Sequence, residues 1–142
     1  MNRFSLLTFA AVLTLAGCKK DDNSPTTIPA KDYVQQGKWK VTLLQEDSRN
    51  ETATFAGYEF QFLSNGQVTA VHSSAPTGSG TWSTRSSDDD NTPHFTLSFG
   101  NTAPFQELND DWHVVEQTST SLKLTDVSGG NGGTDYLNLE KL

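Results

Sequence analysis

Four sets of residues in this chain have side chains able to do chemistry. They are the lone thiol of Cys18, the imidazoles of His72, His94 and His113, the run Asp88-Asp89-Asp90-Asn91, and Asn109-Asp110-Asp111. A single cysteine excludes an internal disulfide framework and a multi-cysteine zinc centre. The histidines are not spaced as HxH or HExxH, the arrangements that bring two imidazoles onto one metal. His94 and His113 alternate with Phe95 and Trp112, so both are expected on the solvent side of their strands. Consecutive carboxylates lack the alternating spacing by which a calcium loop wraps its ion. Asp88–Asp90 and Asn109–Asp111 therefore read as solvated hairpin tips. Serines are plentiful, but no Gly-x-Ser-x-Gly elbow raises one as a nucleophile. The expectation is a non-catalytic protein without metal or cofactor.

Charge narrows the partners. The 142-residue chain has a formal net charge of −7, from ten Lys and Arg against seventeen Asp and Glu. Nucleic acid is excluded as a partner, because phosphate contacts need clustered cations and only Lys19 and Lys20 adjoin. The length suits one domain. Eight Phe and three Trp supply a core, and the abundance of Ser, Thr, Asn, Asp and Gly suits short strands joined by turns.

The N-terminus answers what Cys18 is for. Arg3 is followed by the apolar run Phe4–Ala16 and small residues, the layout of a secretory signal. The run is too short for a span of ~20 residues. Leu15-Ala16-Gly17-Cys18 resembles the bacterial lipobox. The resemblance implies cleavage before Cys18, a diacylglyceryl thioether on its sulfur, and acylation of the new amino terminus. Several chains, at about 0.8 kcal/mol per CH₂, make a stable membrane anchor. Lys19-Lys20-Asp21-Asp22 resembles the export signal of Bacteroidota lipoproteins, which implies the outer face of the outer membrane. A charged linker on a lipoprotein facing the periplasm is the alternative. Asp21–Ala30, with two prolines, reads as a tether of about 3.1 Å per residue, or roughly 30 Å. The expected organisation is a signal peptide at 1–17, lipidated N-terminus and tether at 18–30, and a folded domain at 31–142.

From Trp39 onward the pattern has period two. Trp39, Val41 and Leu43 alternate with polar residues, as do Tyr58, Phe60 and Phe62, and Phe95, Leu97 and Phe99. Weaker alternations cover Val68–His72, Gly80–Thr84, Trp112–Gln117, Leu122–Thr125 and Asp135–Leu139, which predicts eight strands. Ser64-Asn65-Gly66 predicts a tight hairpin, and Thr118-Ser119-Thr120 another reversal. Thr84–Pro93 and Asp126–Thr134 read as longer loops; no helix follows the glycines of the second, so it is not read as a phosphate cradle. Short helical turns are expected at Pro29–Gln36 and Pro104–Leu108. Sequential strands with one apolar face close most readily into an all-β, eight-stranded antiparallel up-and-down barrel. An open sheet or sandwich is the alternative.

"GKW" at Gly37–Trp39, "YEFQFLSNG" at Tyr58–Gly66, "GTW" at Gly80–Trp82 and "WHVV" at Trp112–Val115 together resemble the lipocalin-like domains of Bacteroidota lipoproteins. The chain ends after its last strand, without the C-terminal helix of lipocalins proper. The inward residues support two readings. Either they fill the core, or Trp39, Tyr58, Phe60, Phe62, Trp82, Phe95, Phe99 and Trp112 line a pocket, with indole N–H and phenol O–H groups orienting a ligand. The first functional expectation is thus a lipid-anchored, non-catalytic binding protein for a small apolar or glycan-derived ligand. The second is an accessory subunit with a solid core, docking on a larger outer-membrane complex.

Overall fold

The structure is a computed structural model that describes residues 30–86, 92–127 and 133–142. A short helix, α1 (Ala30–Val34), leads into β1 (Trp39–Glu46), β2 (Arg49–Asn50), β3 (Glu59–Phe62), β4 (Gln67–Val71) and β5 (Gly78–Ser86). Then come β6 (Pro93–Ser98), β7 (Asp110–Gln117), β8 (Ser121–Val127) and β9 (Thr134–Lys141). Two 3₁₀ turns, Thr52–Phe55 and Phe105–Leu108, lie in the connections. Each expected strand is present, and both expected helical turns form, trimmed to Ala30–Val34 and Phe105–Leu108.

All neighbouring strands pair antiparallel in the order β2-β1-β3-β4-β5-β6-β7-β8-β9, and β1 also pairs with β9. The result is a closed eight-stranded barrel with β2 as an extra strand. Closure through β9 is extensive, running from Trp39↔Lys141 to Gln45↔Tyr136. On its other side β1 meets β3 at one register pair, Trp39↔Phe60. Further along, β2 folds back onto β1 through Gln45↔Asn50 and Glu46↔Arg49. Between these contacts Thr52 covers the gap: its Oγ1 accepts the Leu44 N–H at 2.9 Å, and Glu51 N–H donates to the Leu44 carbonyl at 2.8 Å. The seam thus keeps its backbone polar groups paired where β3 does not reach.

One expectation about the core needs correction. Strict alternation puts Leu43 inside, but the β1/β9 register shifts between Val41 and Leu43. This bulge adds one residue and inverts the facing beyond it. Leu44 is fully buried, opposite Leu137, and Leu43 is half-buried opposite Asn138 on the outer side. A second shift, between Val114 and Glu116, leaves Val115 bulged outward and 65% exposed.

Elements that the alternation does not reveal close the barrel at both ends. At the end where β1 begins, Val34 of α1 is fully buried. The Trp39 indole N–H donates to the Val34 carbonyl at 2.9 Å, and the Lys141 ammonium lies 5.6 Å from the Trp39 ring centre. At the opposite end Phe55, Phe105 and Leu108 of the two 3₁₀ turns are buried. Phe55 packs on Tyr58, Phe60 and Phe105, and Phe105 also packs on Tyr58 and Phe99.

Candidate functional site

The eight aromatics expected to line a pocket are brought together in the interior, each 6% exposed or less. Their rings lie against one another. Phe62, Trp82 and Phe95 form a triangle with centroids 5.5 to 5.7 Å apart. Phe60 meets Phe99 edge-on at 6.4 Å. Their polar groups point at the chain itself. Trp39 Nε1 donates to Val34 O, Trp82 Nε1 to Leu63 O at 3.0 Å, and Trp112 Nε1 to Leu108 O at 3.1 Å. Tyr58 O–H donates to Pro76 O at 3.1 Å. These four groups are the handles that a pocket reading assigns to a ligand, and each has a backbone carbonyl partner.

On the outer face, the register places Arg85, His94, His113, Thr125, Tyr136 and Gln45 opposite one another in a continuous row. Here the expectation for His94 holds for its facing and fails for its exposure. Its side chain is only 8% exposed, although it is directed away from the core. The cause is its cross-strand neighbours: the His113 ring lies 4.4 Å away, centre to centre, and Arg85 and Asp111 close over it. His94 Nδ1 is 3.2 Å from Asp111 Oδ2 and 3.4 Å from Arg85 Nη2. His113 is half-buried, and His72 is half-buried against Tyr58 at 5.0 Å, with its Nδ1 accepting the Ser74 N–H.

Asn109–Asp111 is likewise not a solvated tip; Asp110 and Asp111 begin β7, and all three residues are half-buried. Asn109 Oδ1 accepts the Phe99 N–H, and its amide donates to Gly100 O at 2.7 Å. Asp111 accepts from Arg85 and, at 2.8 Å, from the Thr96 hydroxyl. Partial burial pulls the Asp111 carboxyl upward, but the Arg85 and Thr96 hydrogen bonds and the charges of Arg85 and His94 outweigh it. Its pKa lies below the ordinary carboxylate range. Asp110 behaves oppositely: burial raises it, and Asp126, Asp135 and Asp111 add repulsion that one backbone hydrogen bond does not cancel. Glu46 is also raised, first by burial, then by its hydrogen bond and charge contact with Glu107.

Glu46, Glu107, Asp110, Asp126 and Asp135 therefore gather at the end opposite α1, from five different elements. Among the described residues, no group of three or more His, Cys, Asp or Glu is arranged to hold a metal ion. The sequence gives no sign of this gathering, because it depends on which strands become neighbours.

A cleft of about 280 Å³ opens at the α1 end. Its lining includes Lys31, Ser64, Asn65, Trp82, Ser83 and Thr84. The Ser64–Gly66 hairpin that forms one wall has the turn geometry its sequence predicts, with Gly66 at φ +83°. Of these residues only Trp82 is among the expected ligand contacts. The Asn-Gly turn was the available signal, and it reads first as a hairpin. Cys18, Lys19, Lys20, Asp21, Asp22 and Asp88–Asn91 lie outside the described residues. Among the described residues, no helix is long and apolar enough to cross a membrane.

No family model matches the chain. No curated protein matches it. Among solved structures, the chain is similar to a crystal structure of a DUF4847 family protein from Bacteroides vulgatus ATCC 8482, at 16% sequence identity and a TM-score of 0.47, over 79% of this chain and 96% of that one.

Proposed function

We propose that the protein is a lipid-anchored, non-catalytic docking module of the outer membrane, tethered through Cys18 and facing the cell exterior. In this reading it attaches to a larger outer-membrane protein assembly through the barrel end opposite α1. One observation favours docking over a ligand held inside the barrel. The inward aromatics pack on one another, and the indole and phenol groups of Trp39, Trp82, Trp112 and Tyr58 already have backbone partners. A filled interior leaves the outer surface as the part that can meet another molecule.

The folded chain is entered through α1, so the opposite end is the one presented away from the anchor. Glu46, Asp47, Glu51, Glu107, Asp110, Asp126 and Asp135 lie there. Val127 and Tyr136, 64% and 37% exposed, are diagonal neighbours on the adjoining face. Negative charge beside exposed apolar side chains is complementary to a basic surface with an apolar centre. Native mass spectrometry of the full chain, released gently from its own membrane, tests the reading. A co-purifying protein is expected, and Glu107→Gln with Asp126→Asn should release it at lower salt. Protein that travels alone, or that retains a small molecule instead, refutes docking.

A further inference from the structure

We infer that the cleft between the Ser64–Gly66 turn, β5 and Lys31 binds an acidic sugar residue, a polyhydroxylated ring carrying one carboxylate. The inference is independent of the docking reading, which uses the other end of the barrel. It rests on three properties of the cleft.

The first is rigidity. Leu63 N–H donates to Gln67 O at 2.8 Å, Gly66 N–H to Leu63 O at 3.0 Å, and Trp82 N–H to Gly66 O at 2.8 Å. Asn65 Oδ1 accepts the Gln67 N–H at 3.1 Å, and the Trp82 indole is held by Leu63 O and stacked on Phe95 at 5.7 Å. Turn, strand and aromatic floor are therefore one hydrogen-bonded unit. Such a wall loses little conformational freedom when a weak polar ligand binds.

The second is the state of its polar groups. Asn65 is committed to Gln67 through both amide atoms. The hydroxyls of Ser64 and Thr84 and the Lys31 ammonium have no hydrogen-bond or ion-pair partner among the described residues, unlike the three tryptophan N–H groups. The Ser64 and Thr84 hydroxyls, the latter on the inward face that it shares with Trp82, can each donate and accept, which suits the matching hydroxyls of a sugar. The single ammonium supplies one charge-assisted contact for a carboxylate.

The third is size and polarity. About 280 Å³ lies just under the usual range for ligand pockets, and polar and apolar surface line the cleft in nearly equal parts, as the hydroxylated rim and C–H faces of a sugar ring require. An apolar ligand would leave the hydroxyls without partners. A single sugar ring uses them.

The test is a titration of the full-length, isotope-labelled protein with D-glucuronate, D-glucose and acetate, following backbone amide shifts. Glucuronate should give saturable shifts confined to residues 64–66, 82–84 and Lys31. Glucose, without the carboxylate, and acetate, without the ring, should each bind about tenfold more weakly or worse. Lys31 is exposed, so Lys31→Gln should fold normally and reduce glucuronate to the level of glucose. Thr84→Val, which keeps the shape and removes the hydroxyl, should weaken both sugars and leave acetate unchanged. Absence of saturation, acetate binding as tightly as glucuronate, or an unchanged affinity in Lys31→Gln each overturns the inference.

Discussion

Gly78 sets two physical effects of opposite sign against each other. An alanine at a strand position ordinarily stabilises by about 0.5–1 kcal/mol relative to glycine, because the unfolded chain has less freedom to lose. Gly78 is buried at the start of β5, and a Cβ built there would lie 2.6–2.7 Å from three ring atoms of Phe105. That ring cannot swing away. It is fully buried, 5.2 Å from both Tyr58 and Phe99 and 6.2 Å from Phe55. Forcing a methyl into such a site costs about 1–3 kcal/mol. The clash should win, with Gly78→Ala destabilising by about 1 kcal/mol net, or about 4 °C in melting temperature. In a Phe105→Ala background all three ring atoms are gone, and the same alanine should be neutral or slightly stabilising. Urea unfolding of the wild type, the two single variants and the double variant then gives a coupling of about 1–2 kcal/mol. A stabilising Gly78→Ala in the wild type, or an equal cost in both backgrounds, would show that the aromatic plug is not tightly packed. The solid-core argument would go with it.

Five further outcomes are expected. Thr52→Val removes the acceptor of the Leu44 N–H at the barrel seam and should cost about 1–2 kcal/mol in urea unfolding, whereas Thr52→Ser should recover most of it. Glu46 has a raised pKa, so its protonated form favours the fold below the ordinary carboxylate range, and that contribution is lost as pH rises through the folded value. Glu46→Gln should therefore raise the melting temperature at pH 7 and not at pH 3.5. Asp111 is depressed and contributes in the opposite window, present above its ordinary pKa and lost as pH falls through the folded one, so Asp111→Asn should lower the melting temperature at pH 7. Cys18→Ser should move the protein from the detergent to the aqueous phase on partitioning, and alanine at Lys20, Asp21 and Asp22 should protect it from protease added to intact cells. Unchanged partitioning or unchanged accessibility counts against the lipobox and export readings respectively.

The strands were legible because a barrel wall with one buried face writes period two into the chain. Phe95, Leu97 and Phe99 declare their facing without any knowledge of their partners, and all three are buried. What depends on partners was not legible. Alternation cannot count the extra residue that turns Leu43 outward and Leu44 inward, because both are leucine. Nor can it show that His94 is covered, since its cover comes from Arg85 on β5 and from Asp111 and His113 on β7. Phe55 and Phe105 escape for another reason: they stand in 3₁₀ turns and belong to no alternating run. A signal for Phe105 was nonetheless present, since it stands in the helical turn expected at Pro104–Leu108. A barrel has two ends to close, and large apolar residues beside expected helical turns are suited to closing them.

The three tryptophans show why residue type alone could not decide between pocket and core. Trp39, Trp82 and Trp112 offer the apolar body and single polar donor that a ligand site uses. In the fold each donor reaches a carbonyl in a neighbouring non-strand element: Val34 in α1, Leu63 at the β3–β4 turn, and Leu108 in the second 3₁₀ turn. The body of each ring sits in the barrel while its N–H fastens a piece that covers or borders an end. The arrangement has a physical logic. A short helix or turn cannot hold itself in place by its own backbone bonds, since nucleation is unfavourable at such lengths. A buried indole supplies both the apolar contact and the directional bond that fix it. Both Gly-x-Trp segments act in this way, and so does Trp112, which no glycine precedes. The tryptophan pattern is therefore a signature of how this barrel is closed, and closure uses the indole donors that a ligand inside the barrel would need.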